Sequence, residues 1–221
     1  MVPFWYPSVV IWREYSTDGK IADVRLRLHG PQPETYVFAP ETSVELIGIA
    51  IDPEQFGKMW NVSNAELAGY IGDWSGPSLS RALGIACQGV AASVVAETMA
   101  DAVTPTLVEQ RRDEISYTIA LIRRMRGTAP LRAVRERVDL SERYFRTQFK
   151  DRMGISAKGY SRLLRANALV ANADRSTEPN LADLSYQYGY FDQAHLTNDL
   201  RQLTGRSPRR LLLERRAESS R

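Results

Sequence analysis

The chain has 221 residues, and 43% of them are hydrophobic, so it can fill a packed core and is not expected to be disordered. One cysteine, Cys87, and two histidines, His29 and His195, exclude an intramolecular disulfide, a cysteine-based zinc site and a histidine-rich metal site. No signal peptide is visible at Met1–Tyr6 and no apolar run reaches ~18 residues, so we expect a cytoplasmic protein without a membrane span.

Charge is divided unevenly along the chain. Residues 1–106 contain 6 Lys and Arg against 12 Asp and Glu, a net charge of −6, whereas residues 107–221 contain 23 against 14, a net charge of +9. This division predicts two domains, 1–106 and 107–221, with different partners. The basic half suits a polyanion such as DNA, because contacts to phosphates release condensed counterions. A merely solvated basic surface is the plain alternative.

The first third of the chain is predicted to form strands. Four segments share an alternating or β-branched pattern: Ser8–Arg13, Asp23–His29, Tyr36–Ala39 and Ser43–Ile51. In the second segment, Val24, Leu26 and Leu28 alternate with polar residues, which indicates one buried face. The fourth segment is nearly all apolar, so we expect it to be buried on both faces.

Helical signals follow the strands. Asp52 before Pro53 is typical of an N-cap followed by proline at the first helical position. Ser63–Glu66 fits a capping box at the start of another helix. A longer helix is predicted over about Pro77–Asp101, where Cys87 is expected to be a small buried core residue. From residue 107 onward the pattern is helical throughout.

A first helix-turn-helix unit is predicted over Pro130–Arg152. A short helix leads into a turn at Asp139 and Leu140, and Ser141 is a suitable N-cap for the second helix. In that helix the inward positions recur every four residues: Phe145, Phe149 and Met153. The opposite stripe is mostly basic: Arg143, Arg146, Thr147 and Lys150. A helix that is basic outside and aromatic inside suits the major groove of B-DNA.

The same pattern is repeated over Asn180–Gly205. Gly189 supplies the turn, and Asp192 can cap a second helix over Gln193–Leu203. The inward residues are Leu196, Leu200 and Leu203, and the outer stripe carries Ala194, His195, Asn198 and Arg201. Between the two units, Ala157–Asp174 is predicted to be one long helix.

Five stretches carry a family resemblance: LSERYFR (Leu140–Arg146), FKDRMGIS (Phe149–Ser156), LADL (Leu181–Leu184), YGYFDQAHL (Tyr188–Leu196) and LTGRSP (Leu203–Pro208). With them, about residues 115–213 resemble the DNA-binding domain of the AraC/XylS family of bacterial transcription regulators. The resemblance implies an all-α domain of seven helices, in which a long central helix holds two recognition helices. They would stand one DNA turn apart, ~34 Å, and enter successive major grooves.

The resemblance also implies which residues contact DNA. The base-reading positions fall on Arg143, Arg146 and Thr147 in the first recognition helix and on Ala194, His195 and Asn198 in the second. Arg146 can grip guanine with two hydrogen bonds, and Asn198 can pair with adenine. Contact to phosphate alone is the plainer alternative for the arginines, and His195 is as well suited to phosphate as to a base.

Several residues depart from the family pattern. Arg135 stands where a small residue is usual, and Asp139 stands where the turn usually has glycine. Ala157 replaces a usual proline, Asn198 a common basic residue and Leu200 a usual aromatic residue. We therefore expect the first unit to be tilted or loosely packed and the second to read DNA weakly.

The N-terminal part, Gly30–Gly76, resembles the small β-rich domain fused to many actinobacterial members of the family. Matching features are Gly30-Pro31-Gln32, Glu45–Ile49, Pro53 and a leucine-bearing helix that ends at Gly69. The resemblance implies part of a cupin-like fold, and completion by a second chain is a hypothesis. The aromatic residues Trp5, Tyr6, Trp12, Trp60 and Trp74 line either a pocket or, as we favour, a plain core.

These observations predict an α+β protein that regulates transcription by sequence-specific binding to duplex DNA. Its N-terminal half would modulate binding through a small-molecule effector, a partner protein or formation of a homodimer. The alternative is a protein-interaction adaptor that keeps the fold but has lost specific DNA reading. An enzyme fused to a DNA-binding domain is a third hypothesis, against which the apolar surroundings of Cys87 argue. No catalytic residue, metal site or cofactor is predicted.

Overall fold

A four-stranded antiparallel sheet opens the fold. The computed structural model describes residues 6–32, 40–74, 79–104, 113–173 and 180–219. The strands are β1 (Ser8–Tyr15), β2 (Ile21–His29), β3 (Ser43–Ala50) and β4 (Ile71–Asp73). Their order in the sheet is β3-β1-β2-β4. The strand predicted at Tyr36–Ala39 lies outside the described residues, and β4 was not predicted.

One face of the sheet is covered by helices. Val9 and Ile11 of β1 are fully buried on this face, and the predicted inward residues of β2 pack against the same cluster. The covering helices are α1 (Pro53–Trp60), α2 (Ser80–Cys87) and α3 (Ala92–Val103). Asp52 caps α1 by accepting a hydrogen bond from the backbone N–H of Glu54, and Pro53 begins the helix, as predicted.

The aromatic residues of this half pack as core rather than as an open pocket. Trp60 lies between Phe56, with ring centroids 4.4 Å apart, and Trp74, at 5.2 Å. Trp12 is 8% exposed on the other sheet face, where its indole N–H donates to His29 and the Arg27 guanidinium lies over its ring. Trp5 lies outside the described residues.

Two predictions of burial are wrong. The strand β3 pairs only with β1 among the described residues, so it lies at the edge of the described sheet, and Leu46 is 50% exposed. Cys87 is exposed. It lies in the last turn of α2, whose buried face is formed by Ala82 and Ala86, and its own side chain points away from that face.

Two predictions of helices are also wrong. The helix expected over Pro77–Asp101 is two helices, because the chain turns at Gly89, whose φ of 74° is in the left-handed region; Pro77 lies outside the described residues. The segment Ser63–Gly69 forms turns instead of a capped helix, although the hydroxyl of Ser63 does accept a hydrogen bond from the backbone N–H of Ala65.

Helices form the rest of the described chain. They are α4 (Glu114–Arg124), α5 (Leu131–Arg135), α6 (Glu142–Met153), α7 (Ala157–Ala173), α8 (Leu181–Gln187), α9 (Gln193–Thr204) and α10 (Pro208–Ser219). These seven, the number that the resemblance implies, enclose a second core cluster around α7. The fold is α+β. No helix in the described ranges has the length and hydrophobicity that a membrane span requires. The predicted domain boundary at 106–107 lies outside those ranges.

Candidate nucleic-acid interface

Local signals determine both ends of the first recognition helix, α6. The hydroxyl of Ser141 accepts a hydrogen bond from the backbone N–H of Tyr144 at 3.3 Å, and Gly154 ends the helix with a left-handed φ of 75°. Phe149 and Met153 are completely buried, and Phe145 is 6% exposed. The helix is therefore fixed by its caps and by one apolar face, as the sequence predicted.

The predicted DNA-contacting residues of α6 lie together on its opposite face. Arg143, Arg146, Thr147 and Lys150 are all exposed. The side chain of Arg146 is 77% exposed, and its nearest acidic partner is Glu142, one turn earlier, at 3.5 Å. Such an exposed ion pair is weak, so the guanidinium can exchange this carboxylate for a phosphate or a base edge at little cost.

A hydrogen bond from Arg135 spans the turn of the first unit. Asp139 does not adopt the left-handed backbone that glycine would favour, since Asn61 and Arg126 are the non-glycine residues with positive φ in the described ranges. Arg135 spans the turn instead, because its guanidinium donates to the carbonyl oxygen of Leu140 at 2.9 Å. The arginine that was expected to disturb the helix crossing thus holds the turn.

The second recognition helix, α9, has the same construction. The carboxylate of Asp192 accepts a hydrogen bond from the backbone N–H of His195 at 2.7 Å, and Gly205 ends the helix at a φ of 69°. Leu196 and Leu200 are completely buried and Leu203 is 7% exposed. The predicted outer residues are all exposed: Ala194, His195, Asn198 and Arg201.

The imidazole of His195 has a defined hydrogen-bonding state. Its Nδ1 accepts a hydrogen bond from the backbone N–H of Phe191 at 3.3 Å. A neutral imidazole that accepts at one nitrogen carries its proton on the other, so Nε2 is the donor. His195 therefore offers a hydrogen-bond donor to an acceptor such as a phosphate oxygen or a purine N7.

The central helix α7 is joined to the first unit through Tyr160. The Tyr160 ring packs against Phe149 of α6, with centroids 6.2 Å apart, and its hydroxyl accepts from Nε of Arg123 on α4 at 3.1 Å. Burial raises the pKa of Tyr160 to about 12, so the hydroxyl stays protonated at neutral pH.

The same helix is joined to the second unit through two arginines. Arg162 forms an ion pair with Asp199 of α9, which is 6% exposed, and donates to the amide oxygen of Gln202 at 2.8 Å. Arg165 donates to the carbonyl oxygen of Gly189 at 3.1 Å and lies over the Tyr190 ring, 4.8 Å from its centroid. Contacts to one helix therefore hold both recognition helices: ring packing on Phe149 for α6, and polar contacts for α9.

Comparison with known proteins agrees with this geometry. A family model described as a helix-turn-helix domain matches residues 134–214, which contain both recognition helices and the helix between them. Residues 134–214 are thus an AraC-type helix-turn-helix domain. This domain supports a DNA-binding transcription regulator.

The fold of the whole chain also has known counterparts. Two solved structures of ToxT from Vibrio cholerae, one of them from strain O395, match 96% of this chain and 91% and 90% of their own chains. Their TM-scores are 0.50 and 0.51, and the sequence identities are only 7% and 6%. This likeness therefore concerns the fold alone. No curated protein matches the chain.

The N-terminal half contacts the C-terminal end of α6 directly. The backbone N–H of Asn64 donates to the carbonyl oxygen of Asp151 at 3.0 Å. Its side-chain amide donates to the carbonyl oxygens of Arg152 and Pro53, both at 2.7 Å. A Cβ on Gly154 would lie 2.7 Å from the carbonyl oxygen of Asn64, so the close approach requires glycine there.

A cluster of charged side chains extends this contact. Arg152 of the AraC-type domain forms two hydrogen bonds of 2.7 Å with the carboxylate of Asp113, the N-cap of α4. Its guanidinium also lies 3.8 Å from Glu54 of α1, whose side chain is only 4% exposed. Ser116 links the two halves, since its hydroxyl donates to Glu54 at 2.6 Å. We call these residues with Asn64 the α1–α6 contact.

Sequence reasoning missed the α1–α6 contact. Glu54 has the ordinary signature of an acidic residue in the first turn of a helix, and Asn64 falls within the predicted capping box. Asn64 contacts Arg152, 88 residues away along the chain, and Glu54 contacts Ser116, 62 residues away. No local sequence pattern indicates contacts between residues so far apart.

Asn64→Asp is expected to lower the free energy of unfolding by about 2 kcal/mol, because it places a carboxylate against two carbonyl oxygens and removes both donors. Asn61→Asp makes the same substitution at an exposed position, the left-handed C-cap of α1, where a carboxylate near the negative end of the helix dipole should cost less than about 1 kcal/mol. Urea unfolding followed by circular dichroism measures both variants. Equal losses in the two variants would contradict the buried role of the Asn64 amide.

Proposed function

We propose that this regulator binds duplex DNA sequence-specifically, with α6 and α9 in successive major grooves on one face of the helix. Residues 1–106 would form a separate modulating domain, and residues 107–221 the DNA-binding domain. The proposal is of a regulator rather than an enzyme.

One observation carries this proposal. The four predicted contact residues of α6 are exposed together, while Phe149 and Met153 on the opposite side of the same helix are completely buried. No contact within the described protein requires a basic stripe at this position, whereas phosphates and guanine edges do. The exposed stripe of α9 has one arginine, Arg201, so we expect the first unit to supply more of the affinity.

The N-terminal half would modulate the first unit through the α1–α6 contact. The α1–α6 contact reaches the last turn of the recognition helix, and its partners on the N-terminal side are Glu54 and Asn64. A small-molecule effector, a partner protein or a second copy of the chain that shifts α1 would therefore displace the end of α6. A change of the affinity for DNA would follow from that displacement.

Selection of bound sequences from a random duplex pool tests the proposal. We expect the full chain to enrich a site with two half-sites one DNA turn apart, ~10.5 base pairs. Arg146→Ala should weaken binding to the selected duplex about tenfold, because a bidentate contact to guanine is lost. Its effect on a random duplex should be smaller, since only the electrostatic attraction falls.

Arg81→Ala is the matched control. It removes the same charge from an exposed position of α2 in the N-terminal half, and it should leave binding to the selected duplex unchanged. If the pool yields no preferred sequence and Arg146→Ala weakens all duplexes equally, the protein reads no bases. That result would favour the adaptor hypothesis, which capture of a protein partner would then have to support.

A further inference from the structure

Four aromatic residues lie between the last turn of α8 and the start of α9; two of them are buried and two are exposed. Tyr188 and Tyr190 are each 4% exposed and belong to the core cluster. Tyr186 and Phe191, in contrast, are 85% and 87% exposed. A phenylalanine almost entirely in water is uncommon, and this one directly precedes Asp192, the N-cap of the second recognition helix.

Phe191 does not make the packing contact that an apolar residue before an N-cap usually makes. An apolar residue just before the N-cap often packs against the fourth residue of the helix and fixes the entry of the chain. Here that fourth residue is Leu196, which is completely buried while Phe191 is exposed. In the first unit the equivalent residue is Leu140, and it packs against the core. Phe191 is therefore not explained by packing within the described protein.

The position of Phe191 is nevertheless fixed. Its backbone N–H donates to Nδ1 of His195 at 3.3 Å, and the His195 ring meets the Tyr190 ring edge-on at 5.4 Å. The carboxylate of the neighbouring Asp192 accepts a hydrogen bond from the backbone N–H of His195. The exposed phenyl group thus lies three residues before the exposed Ala194 on a backbone that is already ordered, which limits the entropy lost on binding.

We propose that Phe191, together with Ala194, contacts the methyl group of a thymine in the major groove and is a specificity-determining residue of the second recognition helix. The inference rests on the proposed function. The N-terminal residues of a recognition helix reach base edges. The thymine methyl is the apolar group that the major groove presents, and alanine and phenylalanine are suited to contact it.

Replacement of thymine by deoxyuridine tests the contact, because it removes only the methyl group. The probe is the duplex that the full chain selects from the random pool, with each thymine of the second half-site replaced in turn. At one position the replacement should weaken binding of the unaltered protein about fourfold, the value of one buried methyl group. Phe191→Ala should weaken binding to the thymine duplex by a similar factor and show no further loss with deoxyuridine.

Two variants separate this contact from other roles of the turn. Phe191→Leu keeps an apolar group and should retain part of the preference for thymine over deoxyuridine. Tyr186→Ala removes an equally exposed ring from α8, the helix that crosses the DNA backbone, and should not alter that preference. Since Phe191 is almost fully exposed, its variants should unfold at the same temperature as the unaltered protein, which thermal melting checks.

The possible results are distinct. The thymine contact is overturned if the selected second half-site contains no thymine. It is also overturned if the losses of affinity from Phe191→Ala and from deoxyuridine add together. In both cases sequence-specific binding still stands. Unchanged DNA binding by Phe191→Ala, with loss of a captured protein, assigns the ring to a protein partner and also overturns it. If the unaltered protein selects no sequence at all, it is the proposed function that fails.

Discussion

Gly127→Ala is expected to lower the free energy of unfolding by about 3 kcal/mol. Gly127 follows α4, donates its N–H to the carbonyl oxygen of Ile122 at 2.9 Å and has a left-handed φ of 74°. A Cβ at this position would overlap the carbonyl oxygen of Ser161 in α7. Alanine must therefore bear about 1 kcal/mol of backbone strain and in addition about 2 kcal/mol for pushing two helices apart.

Gly205→Ala separates these two contributions. Gly205 also ends a helix in the left-handed region, at a φ of 69°, but apart from its own helix and chain neighbours no atom of the described residues lies within 4 Å of its Cβ position. Its replacement should cost only the backbone strain, about 1 kcal/mol. Equilibrium unfolding in urea measures both variants. Equal losses would show that α4 and α7 can separate at no cost, in which case α7 would not be a rigid support.

The parts of the interface that sequence could predict are those that local physics decides. In α6 and α9 the N-cap, the inward residues at intervals of three or four and the terminal glycine all lie within fifteen residues of each other. These signals agree with one another, and the spacing of the inward residues then determines which residues form the exposed stripes. The role of these stripes in DNA binding remains a prediction.

The errors arose where position in the sheet or distant pairing decides burial. An apolar strand such as β3 can be central or at an edge, and its own residues do not distinguish the two. Cys87 lies in an apolar stretch, but the helix there is short, and one step of 100° around it moves a side chain out of the core. The helix break at Gly89 depends on one left-handed residue.

Arg152→Met is expected to lower the free energy of unfolding by about 3 kcal/mol. Methionine has a similar length but no donors, so Asp113 loses two hydrogen bonds of 2.7 Å and the buried Glu54 loses its nearby cation. Removing the cation is costly because Glu54, whose side chain is 4% exposed, stays buried without a compensating charge. Arg146→Met, on the exposed face of the same helix, should cost less than about 0.5 kcal/mol.

The loss caused by Arg152→Met should depend on pH in a defined direction. The hydrogen bonds from Arg152 hold the pKa of Asp113 well below its ordinary value of 3.8. A lowered pKa in the folded state stabilises the fold above 3.8, and this stabilisation is lost as the pH falls below that value.

In Arg152→Met only the Ser116 contacts still lower the pKa of Asp113, so the variant should lose less stability in acid than the unaltered protein. Urea unfolding at a series of pH values should therefore show the two stability curves far apart at pH 7 and converging below 3.8. Curves that stay parallel would mean that Arg152 does not bind Asp113 in the folded state.

The Arg152→Met variant also tests whether the α1–α6 contact influences DNA binding. If Arg152 carries the contact between α1 and the recognition helix, its loss should change DNA affinity only while residues 1–106 are present.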